Sequence, residues 1–91
     1  MKRLHARVTG RVQGVWYRKN TAIQAKQRQL TGYVRNMKDG SVEVVAEGEA
    51  TALESLISWL NVGPELARVV DVRITWQPAT GEYKDFRIDR T

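Results

Sequence analysis

The sequence predicts an α+β sandwich of element order βαββαβ, with two helices on one face of an antiparallel sheet and a short extra strand at the C-terminus. Three patterns carry this reading. Leu4, Ala6, Val8, Gly10 and Val12 alternate with His5, Arg7, Thr9 and Arg11, the period of two of a half-buried strand. Tyr33–Asn36 and Val42–Glu47 flank Met37-Lys38-Asp39-Gly40, whose Asp-Gly pair is hairpin chemistry. Leu53, Leu56, Ile57 and Leu60 fall at helical spacing and form one apolar stripe.

The remaining elements fit between these. A turn is expected at Gln13–Tyr17, followed by a helix over about Asn20–Gln29. That segment is rich in helix formers (Ala22, Gln24, Ala25, Lys26, Gln27, Arg28), although its apolar face is thin. Leu30-Thr31-Gly32 closes it. In the third strand Val42, Val44 and Ala46 share one face, and Glu43 and Glu47 take the other. Thr51 and Glu54 have capping-box spacing for the second helix, which Gly63-Pro64 ends. Val70, Val72, Ile74 and Trp76 alternate with Asp71, Arg73 and Thr75 as a fourth strand, and Tyr83–Ile88 can add a fifth. This is the split βαβ arrangement called ferredoxin-like. The arrangement hosts many activities, so function has to be read from the site.

Ninety-one residues make one domain, 1–91, with room for one core. There is no cysteine, hence no disulfide framework and no thiolate nucleophile or ligand, which suits a cytoplasmic protein. No apolar run is long enough to span a bilayer, and the basic Met1-Lys2-Arg3 leads into an alternating strand instead of a signal-peptide core. Fifteen basic against ten acidic residues leave a charge of +5. That excess reads as a basic solvated surface, as a field that draws in small anions, or as affinity for nucleic acid.

The richest stretch is Gly10–Arg18, GRVQGVWYR, followed by Gly32–Glu43, GYVRNMKDGSVE. In the first, a strand ends in a glycine turn and an arginine stands where a helix begins. Gly14 lets successive N–H groups curl toward one hollow, and the helix dipole adds positive potential. Arg18 can grip two phosphate oxygens with its planar fork. An arginine at a helix start opposes the dipole, and a bound anion relieves that conflict. The alternative is an arginine solvated at the surface. Asn36, at a strand end on the face of Val34, can both donate and accept. It can orient water, or it can bond local backbone as asparagines in turns do. Arg11 and Arg35 are read as surface or structural charges, and His5 as a solvated histidine without a carboxylate partner.

These residues resemble the acylphosphatase family, enzymes that hydrolyse carboxylic–phosphoric mixed anhydrides. The family pattern G-R-V-Q-G-V, any residue, an aromatic, then Arg is present as Gly10 to Arg18, with Tyr17 where Phe is more usual. The second pattern is present as Gly32, Tyr33, Val34, Arg35, Asn36, Asp39, Gly40, Val42 and Glu43. The likeness continues through Gly63-Pro64 and Phe86-Arg87-Ile88. It implies that Arg18 and Asn36 are catalytic. It also implies a phosphate-binding turn of Gln13, Gly14, Val15, Trp16, Tyr17 and Arg18. Loop N–H groups and the Arg18 guanidinium would hold the phosphoryl oxygens, and Asn36 would align a water that attacks phosphorus directly.

What the sequence lacks is consistent with this. It holds no metal-ligand spacing, no G-x-S-x-G elbow and no Walker pattern. The RNP1 pattern is missing too, although Trp16, Tyr17 and Tyr33 lie near basic residues. An acyl phosphate already has a carboxylate leaving group, so positioning and charge stabilisation suffice without metal or cofactor. The expectation is therefore a monomer acting on a small acyl phosphate, with inorganic phosphate or sulfate as competing anions and no membrane or nucleic-acid partner. The main alternative is a non-catalytic anion- or RNA-binding module on the same fold. A narrower one is an accessory domain serving a carbamoyl-phosphate pathway; the short chain is expected to stand alone.

Overall fold

The computed structural model describes residues 1–90. Seven elements follow in order: β1 (Lys2–Arg11), α1 (Tyr17–Gln27), β2 (Thr31–Asn36), β3 (Val42–Gly48), α2 (Ala50–Val62), β4 (Arg68–Pro78) and β5 (Phe86–Ile88). The sheet order is β4-β1-β3-β2-β5. β1 to β4 pair antiparallel, as the alternation predicts. β5 then adds to β2 in parallel, so the complete sheet is mixed.

The register follows from burial. Leu4 faces Ala46, Ala6 faces Val44 and Val8 faces Val42 across β1 and β3. All six are fully buried beneath the helices. From α2 the stripe Leu53, Leu56 and Leu60 closes over them, with Ile57 at its margin. Each leucine so buried contributes about 1.5–3 kcal/mol. α1 brings only Tyr17, Thr21, Ala22 and Ala25 inward, the thin face read from its composition. Among the described residues no helix is long and apolar enough to cross a membrane.

Five local expectations change. α1 starts at Tyr17, three residues before Asn20, because the Tyr17 ring is buried and its hydroxyl donates to Leu60 O at 2.6 Å. Thr31 and Gly32 already belong to β2; the chain turns earlier, at Gln29, with φ 58°. The Thr51–Glu54 capping box does not form. α2 begins two residues earlier, with Glu49 at its N-cap and no side-chain cap, and Leu53 N–H donates to Glu49 O at 3.0 Å. With β3 running to Gly48, the helix has to start at once for its leucines to reach the core.

The fourth concerns β4, where alternation slips at a bulge. Thr9 faces Asp71, but Gly10 faces Val69. Val70 is the extra residue, turned out and 79% exposed, while Val69 packs on the core with Val72 and Ile74. Gly10 permits the bulge: at φ 125°, a Cβ there would collide with the Arg68 carbonyl. The fifth strand shrinks to Phe86–Ile88, anchored by the buried Phe86.

Candidate active site at the head of the first helix

The site lies where β1 hands over to α1. Gln13 does not turn its side chain to the hollow. Its amide donates to Met37 O and Ser41 O, both at 2.8 Å, and ties the loop to the β2–β3 hairpin. Val15 is buried, so it pins the loop from below. Between and beyond these anchors the backbone takes positive φ twice, 75° at Gly14 and 68° at Trp16. Gly14 does so freely, with nothing near its missing side chain. Trp16 carries a left-handed conformation that costs a non-glycine residue about 1–2 kcal/mol. Asn20 holds it there: its side-chain amide and its backbone N–H both donate to Trp16 O, at 2.9 and 3.1 Å.

The head of α1 is left open. It has no side-chain cap and no acidic residue in its first turn. Tyr17, Arg18 and Lys19 therefore present backbone N–H groups that no carbonyl in the helix can reach. Arg18 forms no ion pair among the described residues. Asn36, the last residue of β2, points to the helix-covered side like Val34, and its Oδ1 is buried without a hydrogen-bond partner. A buried amide oxygen left unpaired costs about 1–3 kcal/mol.

These groups meet in one cleft of about 600 Å³, lined by Val12, Gly14, Trp16, Tyr17, Arg18, Lys19, Asn36, Ile88 and Arg90. Arg18 and Asn36, separated in sequence, are thus brought together. Gln13 and Val15 stand behind the cleft and can contribute to it only through backbone. Tyr17 lines it, but burial pushes its hydroxyl pKa well up and leaves it unsuited to proton transfer. The arrangement suits a phosphoryl group: donors and a guanidinium on one side, and a free acceptor on the other to hold a water proton.

Lys19 and Arg90 were not read as site residues. Lys19 carried the same signal as Arg18, a cation in the first turn of a helix. Arg90 had no local signal, because the parallel β2–β5 register alone carries it to the cleft. Among the described residues no group of three or more His, Asp and Glu side chains gathers to hold a metal.

His5 is corrected. It does have a carboxylate partner, with Nε2 2.8 Å from Glu43 Oε2 on the open face of the sheet. Arg35 is structural, as expected, donating to Glu43 Oε1 at 2.6 Å. Burial pushes the Glu43 carboxyl up, but bonds from His5, Arg35 and Tyr33 and the Arg35 charge outweigh it and hold the carboxyl below its ordinary value. This network lies on the opposite side of the sheet from Asn36 and takes no part in the cleft.

Comparison with known proteins agrees with the geometry. The acylphosphatase family pattern matches residues 4–88. An acylphosphatase of Methylococcus capsulatus is 49% identical over 90 residues, covering 99% of this chain and 98% of its own. The crystal structure of acylphosphatase from Bacillus subtilis superposes with a TM-score of 0.96 at 34% identity, covering 99% of this chain and all of that one. An acylphosphatase structure from Coxiella burnetii gives 0.90 at 39% identity, covering 97% of this chain and 92% of its own. Matched in sequence and in fold from end to end, the chain belongs to the acylphosphatase family.

Proposed function

We propose that this chain, an enzyme of the acylphosphatase family, hydrolyses the carboxyl–phosphate bond of small acyl phosphates through the cleft at the head of α1. The observation that carries the reading is the pairing of opposites there: an uncapped helix start with Arg18, facing the unpartnered Asn36 Oδ1. The phosphoryl oxygens accept hydrogen bonds from loop N–H groups over Gln13–Arg18 and from the Arg18 guanidinium. Asn36 Oδ1 accepts from a water and sets its lone pair toward phosphorus, in line with the departing carboxylate. The new P–O bond forms as the P–O bond to the acyl carboxylate breaks, without a covalent enzyme intermediate. The water's proton passes to a phosphoryl oxygen, and the products are carboxylate and inorganic phosphate.

Because the leaving carboxylate is stable unprotonated, the reaction needs neither general acid nor metal nor cofactor. Free phosphate and sulfate compete for the same donors. We propose that the chain acts as a single domain over 1–91 and as a monomer, and that the absence of cysteine reflects a cytoplasmic setting. The test is turnover of acetyl or benzoyl phosphate with and without a chelator. The expected result is undiminished hydrolysis in chelator and competitive inhibition by phosphate that weakens with salt. Absence of turnover sinks the reading in favour of a binding module; loss of turnover in chelator sinks its metal independence.

A further inference from the structure

Two cations besides Arg18 line the same cleft: Lys19 in the first turn of α1 and Arg90 just beyond β5. None of the three forms an ion pair among the described residues, whereas Arg3, Arg7 and Arg35 on the open face all do. Among the described residues no acidic side chain lines the cleft. The site thus gathers three cations that have no ion pair among the described residues, and a helix N-terminus, around one small volume.

An acyl phosphate with a neutral acyl group carries at most about two negative charges, all on phosphorus. Arg18, the loop N–H groups and the helix dipole already face that group. Lys19 and Arg90 are surplus to it. Lys19 in addition opposes the α1 dipole, so a ligand with negative charge beyond the phosphoryl group would relieve it. Its ammonium lies 5.7 Å from the centroid of the Trp16 ring, which is 66% exposed at the lip of the cleft. The indole both steadies the cation and offers an apolar surface for a carbon chain.

We propose that the cleft selects acyl phosphates whose acyl group bears a second anionic group, with Lys19 and Arg90 reading that charge and Trp16 flanking the chain between the two anions. This rests on the assignment of the cleft as the acyl-phosphate site.

The experiment compares butyryl phosphate with succinyl monophosphate, which has the same chain length and one added carboxylate. kcat/KM is measured for both with wild type, Lys19→Gln, Arg90→Gln and the double variant. The anhydrides differ in intrinsic reactivity, but that difference cancels when their ratio is compared between enzymes. The expected result is a succinyl-to-butyryl ratio that falls by about fivefold in the double variant, less in each single one, and falls in wild type as salt rises. An unchanged ratio, with both anhydrides still hydrolysed by all four enzymes, overturns the proposal. So does an unchanged ratio with benzoyl phosphate outrunning both, which would hand the rim to the Trp16 indole. Failure of wild type to hydrolyse any of the three overturns the underlying site assignment instead.

Discussion

The two sides of the sheet use polar residues in opposite ways. On the open face Glu43 is 14% exposed and accepts from Arg35, Tyr33 and His5. Glu47, 4% exposed, accepts from Thr80 N–H, Thr80 Oγ1 and Gly81 N–H, with Arg3 Nε 3.5 Å away. Here burial raises each carboxyl pKa, and the donors more than reverse it. Both carboxylates are answered by protein. On the other side, at the head of α1, Arg18 and Asn36 Oδ1 have no partner among the described residues and the helix start has no side-chain cap. A buried polar group answered by protein serves the fold, and one left unanswered beside a cleft is available to a ligand. The contrast separates two sets of polar residues that look alike in sequence: Arg18 and Asn36, which we propose serve the chemistry, and Arg35 and Glu43, which serve the architecture.

Substitution at Arg18 is the most severe way to probe this division. Arg18→Gln should lower kcat/KM for an acyl phosphate by about 10³ or more, the scale of arginines that stabilise transferring phosphoryl groups. Its thermal midpoint should hold or rise, because the lost charge opposed the helix dipole. Lysine should restore little, since a point charge cannot reproduce the two-pronged grip. Near-wild-type turnover by a natively folded Arg18→Gln protein would place Arg18 with the architectural residues and remove the contrast.

Asn36 sharpens it further. Asn36→Ala should cost about 10²–10³ in kcat, the scale of one preorganised polar group, with phosphate inhibition nearly unchanged. Asn36→Asp should do no better, because its carboxylate repels the phosphoryl group. Removing an unpaired buried oxygen should cost no stability. A variant that melts earlier but keeps its kcat would make Asn36 a turn residue.

How much of this was legible in the chain depends on how local each signal is. The strand faces of Leu4–Val8 and Val42–Ala46 follow from alternation, and the stripe Leu53-Leu56-Leu60 from helical spacing, because both periods are written in neighbouring residues. The Gly14 turn and the positions of Arg18 at a helix start and Asn36 at a strand end were readable from local pattern, whereas residue type left their roles open and the family resemblance supplied them. The Val70 bulge was not, since it arises from the fit of β4 against Gly10, some sixty positions away. The partner of His5 was hidden for the same reason: Glu43 reaches it diagonally, in a register where Arg7 faces Glu43 and His5 faces Val45. Arg90 enters the cleft only through the parallel pairing of β5. The Thr51–Glu54 spacing misled because the core, not the cap, decides where α2 starts.

The smallest expected effect tests the architectural side. Glu43→Gln keeps the shape of the side chain and removes its charge. It should lower stability at pH 7 by about 1–2 kcal/mol, since hydrogen bonds to a charged acceptor are weakened and not all can be remade. Activity should hold, because Glu43 faces away from the cleft. The pH dependence distinguishes this from a packing defect. A carboxyl held below its ordinary value contributes stability that is fully present above the unfolded carboxyl range, near pH 4–5, and is lost as pH falls through the depressed native value. Below that point wild type carries a protonated Glu43, close in shape and charge to glutamine. Denaturant unfolding of both proteins at neutral pH and at about pH 2–3 should therefore show a gap that closes on acidification. A gap that persists in acid would mean that the carboxylate's charge contributes little. A tenfold drop in kcat at neutral pH would mean that the two sides of the sheet are coupled, and that the open face helps to hold Asn36 through β2.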